Sequence, residues 1–193
     1  MTIYVVCDIE ADGPIPGPHS MISFGAIAVD KSGKNYGEFE INLQPLKNAS
    51  PHSETLIWFK HNAPEAFEYT KLNRTYPEVA MNKFGDWLLN LPSPRVMAAH
   101  PAPHDFMWLN WYIQNFLKHR LEKPPFATPF FDIWSSAFDI KSYATAVLKK
   151  DFIEVHRETY PKELYDNTKH THRAIDDARE YANLLVKLLN KNL

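Results

Sequence analysis

The opening residues constrain the fold more than any other part of the chain. Ile3-Tyr4-Val5-Val6-Cys7-Asp8-Ile9-Glu10 is a β-branched and aromatic run that ends in two acids. A short apolar run of this composition reads as a buried strand. Alternate side chains on a strand share a face, so Asp8 and Glu10 are neighbours with Cα atoms about 7 Å apart. Two acids at the end of a buried strand need a cation beside them. Without one, desolvation and mutual repulsion drive their pKa values up.

Residues 2–9 and 21–29 are apolar, and 38–43 alternate, with Phe39, Ile41 and Leu43 on one side. Lys31-Ser32-Gly33-Lys34-Asn35 reads as a hairpin turn between the latter two. Helical signals follow over 53–60, from Pro64 through Lys71, and after Pro77 through Leu91. Residues 95–99 form a short strand and 106–118 a helix. Pro124, Pro125 and Pro129 punctuate a loop before Phe130-Phe131. The region 133–148 reads as helical, 150–171 has no clear period, and 173–190 is a strong helix. Strands first, then helices and strands in alternation, predict an α/β domain with a mixed sheet. With 193 residues, 45% hydrophobic and 23% charged, a single domain over 1–193 is expected.

Two more acids and a histidine continue the pattern. Asp105 ends His100-Pro101-Ala102-Pro103-His104-Asp105, after a strand and near a helix start, where an acid also stabilises the helix. On the last helix Asp177, Tyr181, Leu184 and Leu188 fall on one stripe. Asp176, Glu180, Asn183, Lys187 and Asn190 form the neighbouring polar stripe. That pattern turns Asp177 inward and leaves Asp176 in solvent, and an inward acid has to be paired or metal-bound. His172 stands just before this helix, five residues ahead of Asp177, which makes it a candidate general base. His170 lacks that spacing and receives no role. His100 and His104 are spaced by four, but Pro101 and Pro103 argue against a regular helix there, so both read as loop residues. Hard oxygen ligands from distant segments, with one imidazole beside them, suit a pair of Mg²⁺ or Mn²⁺ ions cleaving phosphodiesters.

A net charge of −2 with no basic stripe excludes an extended grip on duplex nucleic acid and fits a pocket holding a few nucleotides. The single cysteine, Cys7, excludes an internal disulfide and a Cys-rich zinc site. The opening apolar run is too short for a membrane span and ends in acids. No signal peptide, no membrane partner and a cytoplasmic location are therefore expected.

In chain order, Asp8-x-Glu10, Asp105 and His172 with Asp177 resemble the DEDDh family of 3′–5′ exonucleases, of ribonuclease-H-like fold. His172-Arg173-Ala174-Ile175-Asp176-Asp177-Ala178 is similar to the third motif of ribonuclease T and the oligoribonucleases. Thr55-Leu56-Ile57-Trp58-Phe59-Lys60-His61-Asn62-Ala63-Pro64-Glu65-Ala66 is similar to a segment of the phage exonuclease A and mycobacterial exoribonuclease branch. The resemblance implies a ribonuclease-H-like mixed β-sheet flanked by helices. It also implies two divalent cations, Mg²⁺ or Mn²⁺, on Asp8, Glu10, Asp105 and Asp177, with His172 as the base.

The implied reaction releases 5′-mononucleotides from the 3′ ends of single-stranded RNA or DNA. An exoribonuclease is the first reading and an exodeoxyribonuclease the alternative. Ile9, Trp58 and Phe59 become substrate contacts, and a homodimer is implied. Two departures concern the grip on the terminal nucleotide. Ala11-Asp12-Gly13 and a Pro-rich insert follow the first motif, and Pro101 stands where an Asn-x-x-x-Asp motif has Asn. Two other readings of the same residues stay open. One is a His/Asp phosphohydrolase with a transition metal on His100, His104, His170 or His172; the other is a non-catalytic nucleic-acid-binding module.

Overall fold

The opening run becomes the central strand of a mixed sheet. A computed structural model describes residues 1–118, 137–165 and 170–191. It contains β1 (Ile3–Ala11), β2 (Met21–Asp30), β3 (Asn35–Asn42), β4 (Arg95–Ala99) and β5 (Phe138–Asp139). They form a five-stranded sheet in the order β3-β2-β1-β4-β5. The hairpin-linked strands run antiparallel on one side of β1, while β4 and β5 add in parallel on the other. The described helices are α1 (Ser53–Asn62), α2 (Pro64–Tyr69), α3 (Pro77–Leu89), α4 (Ala102–Phe116), α5 (Ile140–Leu148) and α6 (Ala174–Asn190). No described helix is long and apolar enough to cross a membrane.

The strand alternation sorts β1 between two cores. Ile3, Val5, Cys7 and Ile9 pack with Phe84 and Leu88 of α3 and with Trp108 and Leu109 of α4. Val6 packs on the opposite face with Ile140 of α5 and with Ala178 and Leu185 of α6. Asp8 and Glu10 continue that second face, so they point to the side that α6 covers.

Three local expectations change. Pro101 and Pro103 start a helix: Pro101 is the N-cap of α4, and Pro103 sits in the first turn, where a missing N–H breaks no helical bond. His104 and Asp105 are therefore helical residues. The described part of 133–148 divides into β5 and α5, with Asp139 capping α5 by accepting from the Ser142 N–H at 2.6 Å. Two residues are too few to show a strand period in the sequence. The unreadable stretch after it contains two short 3₁₀ turns, Phe152–Glu154 and Arg157–Thr159. The proline-punctuated loop with Pro124, Pro125 and Pro129 lies outside the described residues, as does Phe130-Phe131.

One glycine sets the distance between sheet and helix. Gly25 on β2 pairs with Asp8, and a Cβ there would stand 2.4 Å from the Ile175 nitrogen and 2.5 Å from the Ala174 carbonyl carbon. Both contacts are backbone, which cannot swing aside. Gly25→Ala should therefore cost about 1–3 kcal/mol by overpacking. For a chain of this length each kcal/mol lowers Tm by about 2–4 °C. A melt indistinguishable from that of the parent protein would mean α6 is not seated on β2 as described.

Candidate metal centre

Sheet geometry brings the third acid to the first two. β4 pairs with β1 only as far as Val6. Beyond it the Ile9 N–H has no β4 partner and donates to Asp105 Oδ1 at 3.1 Å. That bond draws the first turn of α4 to the strand end and holds Asp105 buried beside Asp8 and Glu10. From the other side, the close approach at Gly25 delivers the first turn of α6. Asp177 is 2% exposed, and donor oxygens of Asp8, Glu10 and Asp177 lie within 4.8 Å of one another. The four sequence-selected acids thus meet at one place, from three elements.

Their electrostatics are those of crowded, desolvated acids. Burial, then the charges of Asp105, Glu10 and Asp177, push the Asp8 carboxyl well above its ordinary range. Glu10 rises likewise through burial, Asp177 and Asp105. Burial lifts Asp105 to about 7, against the opposing hydrogen bond from Ile9. Converging, desolvated carboxylates form a hard, all-oxygen donor set, which fits Mg²⁺ or Mn²⁺. Cys7 is buried, and its thiol is pushed up by burial and by Asp105, so it stays protonated and inert.

The histidines differ from the sequence expectation. His172 has a φ of 56°, in the left-handed region that non-glycine residues rarely adopt. The next residue anchors this turn: Arg173 donates to Glu40 at 2.7 and 2.8 Å and to the Tyr69 hydroxyl at 2.7 Å. The turn stacks the His170 and His172 rings edge to face, 4.2 Å apart. The imidazole bonded to Asp177 is that of His170, through Nδ1 to Oδ1 at 2.9 Å. Burial alone lowers the His170 pKa, but the Asp177 hydrogen bond and charge raise it overall. Burial and then His170 lower that of His172, which favours the neutral, proton-accepting form.

His100 is a different case: burial lowers it to about 4, its ring stacks on Tyr181 at 4.5 Å, and its Nε2 meets the Tyr160 hydroxyl at 2.6 Å. Its ring is held in the packing between Tyr160 and Tyr181.

Glu180 is the residue that sequence reasoning misplaced. The helical pattern puts it on the polar stripe, yet its side chain is 9% exposed. Arg157 donates to its Oε1 at 3.0 Å, and its Oε2 faces His170 Nδ1 at 3.4 Å. The spacing of Glu180, three from Asp177 and four from Asp176, fits either stripe, so the helical period carries no signal that decides it. Asp176 behaves as expected: partly exposed, it pairs with Arg179 at 2.8 Å and accepts from Thr171 at 3.1 Å.

The proposed base contacts divide. Trp58 is 43% exposed and meets the His172 ring edge-on at 5.0 Å. Phe59 is 2% exposed and packs with Ile22, Ala63 and Ala66, so it supports α1 from beneath. Adjacent helix positions are about 100° apart, so one of the pair faces out and the other in. The Ile9 side chain is buried in the sheet core, and its contribution to the site is its backbone amide.

Residues 5–185 match the family model RNase_T, described as an exonuclease. The chain is 29% identical over 199 residues to the 3′-5′ DNA exonuclease Cap18 of Escherichia coli, spanning 98% of this chain and 92% of that protein. The nuclease domain of 3′hExo, a DEDDh family member bound to rAMP, superposes with a TM-score of 0.66 at 18% identity. That match covers 97% of this chain and 90% of that one. E. coli Exonuclease I in complex with a dT13 oligonucleotide gives a TM-score of 0.71 at 13% identity, over 99% of this chain and 42% of that one. At such identities the two structures establish the fold: a mixed sheet flanked by helices.

Proposed function

Because this chain belongs to the RNase_T exonuclease family, the DEDDh 3′–5′ exonucleases of the ribonuclease-H-like superfamily, we propose that it removes 5′-mononucleotides from single-stranded 3′ ends. The family hydrolyses phosphodiester bonds with divalent metal ions. The observation that carries the reading for this chain is the convergence of Asp8, Glu10, Asp105 and Asp177. As potential ligands, these four would hold two Mg²⁺ or Mn²⁺ ions. When bound, such ions supply Lewis acidity at the scissile phosphate.

The chain's own groups supply the rest. His172 takes the proton of the attacking water, and its lowered pKa keeps it free to do so at neutral pH. His170 holds Asp177 in orientation, and Glu180, fixed by Arg157, stands behind that imidazole. The exposed Trp58 beside His172 offers a face for the terminal base.

DNA is the preferred substrate in this proposal, supported by the DNA exonuclease that aligns along nearly the whole chain. RNA is the second reading, favoured by the DEDDh neighbour bound to rAMP and by the 172–178 motif. Product analysis on matched DNA and RNA oligomers tests both, with Mg²⁺, with Mn²⁺ and with chelator. Metal-dependent release of single 5′-mononucleotides from the 3′ end, faster on DNA, is expected. Faster release from RNA reverses the sugar preference, and binding with no metal-dependent digestion overturns the nuclease reading.

A further inference from the structure

Beside the all-oxygen cluster lies a second convergent group of different chemistry. One donor atom each of His170, His172 and Asp177 lies within 4.8 Å of the others. The left-handed turn at His172 is what allows two imidazoles separated by one residue to face the same carboxylate. A cleft of about 270 Å³, lined by Asn62, Glu65, His170, Thr171 and His172 among others, opens onto both rings and gives an ion a path in. Glu180 Oε2, 3.4 Å from His170 Nδ1, and Arg157 behind it form a polar layer against the His170 ring.

Two imidazoles and one carboxylate form a borderline-soft donor set. Zn²⁺ suits it, whereas Mg²⁺ prefers oxygen and its own water shell. Asp177 belongs to both groups, so an ion held by the imidazoles withdraws it from Asp8 and Glu10. His172, once a ligand, has no lone pair left with which to accept a proton.

We infer that His170, His172 and Asp177 form an inhibitory zinc site that competes with the catalytic metals for Asp177. Inhibition rests on the nuclease reading, and zinc binding does not.

Calorimetric titration with ZnCl₂ of the parent protein, His170→Gln and Asp8→Asn separates the two sites, with a melt of each metal-free variant to establish folding. His170→Gln should weaken zinc binding by about tenfold or more, and Asp8→Asn by much less. Zinc affinity that follows Asp8 and ignores His170 would place the ion among the carboxylates and overturn the inference. Co²⁺ gives a second readout that needs no variant. Nitrogen ligation in a site of low coordination number gives strong visible absorption, whereas a faint octahedral spectrum contradicts the site. On a single-stranded oligomer in Mg²⁺, Zn²⁺ should cut parent turnover about tenfold or more and His170→Gln turnover far less, each relative to its own zinc-free rate. Equal inhibition of both proteins also counts against it. If no digestion occurs at all, zinc binding that depends on His170 still supports the site, and the nuclease reading alone fails.

Discussion

Asp177→Asn should lower turnover on the order of 10³-fold or more, while Asp176→Asn retains most of it. The two side chains are adjacent, of the same residue type and in the same helical turn, so the comparison isolates direction. Asp177 shares a space of 4.8 Å with Asp8 and Glu10 and carries the hydrogen bond of His170. Removing its charge takes away one ligand of the proposed metal pair, whose Lewis acidity is worth several kcal/mol, and each 1.36 kcal/mol is tenfold in rate. Asparagine has nearly the same shape, so packing survives. Asp176 makes a partly exposed pair with Arg179, and pairs of that kind contribute about 0–1 kcal/mol. Initial rates on a labelled single strand with saturating Mn²⁺ check the contrast. Comparable losses in both variants would sink the assignment of helix faces.

That helix also marks how much of the site the sequence disclosed. A period of 3.6 separates Asp177 from Asp176 because they are one residue, about 100°, apart. It does not place Glu180, which lies three residues from the one and four from the other and so belongs to either stripe. The deciding partner is Arg157, in a 3₁₀ turn with no period to read. The strand acids were legible for the same reason as Asp177, since alternation leaves no freedom in which face they share.

Loop geometry is where pattern gives out. The left-handed turn at His172 puts His170, two residues earlier, on Asp177, and no spacing rule anticipates it. The start of α4 misled in another way. Two prolines in four residues read as helix breakers, although proline at a helix start is favourable. The hydrogen bond between Ile9 and Asp105 depends on where β4 stops pairing, which is a tertiary fact.

Removing divalent metal should lower Tm, and by more as pH rises. In the metal-free protein Asp105 titrates near 7 against an ordinary 3.8, and Asp8 and Glu10 are shifted in the same direction. A carboxyl whose folded pKa is raised binds more protons folded than unfolded. Its contribution to stability is complete below its unfolded value, about pH 4, and is lost as pH climbs through its folded value. His170, raised by Asp177, adds loss in the same direction above pH 6.5, while His172, lowered by burial, opposes it. The metal-free Tm should therefore fall between about pH 5 and 8.

A divalent ion reverses the sign, because it needs the ionised carboxylates and turns their repulsion into attraction. At a concentration of 100 times Kd it adds about 2.7 kcal/mol. For a chain of this size that corresponds to a rise in Tm of roughly 5–11 °C. Below about pH 5 protons compete for the same oxygens and the increment shrinks. Thermal melts with Mg²⁺, Mn²⁺ or chelator across this range give both slopes. Melting that ignores the chelator at every pH would show that these acids, close as they are, hold no ion.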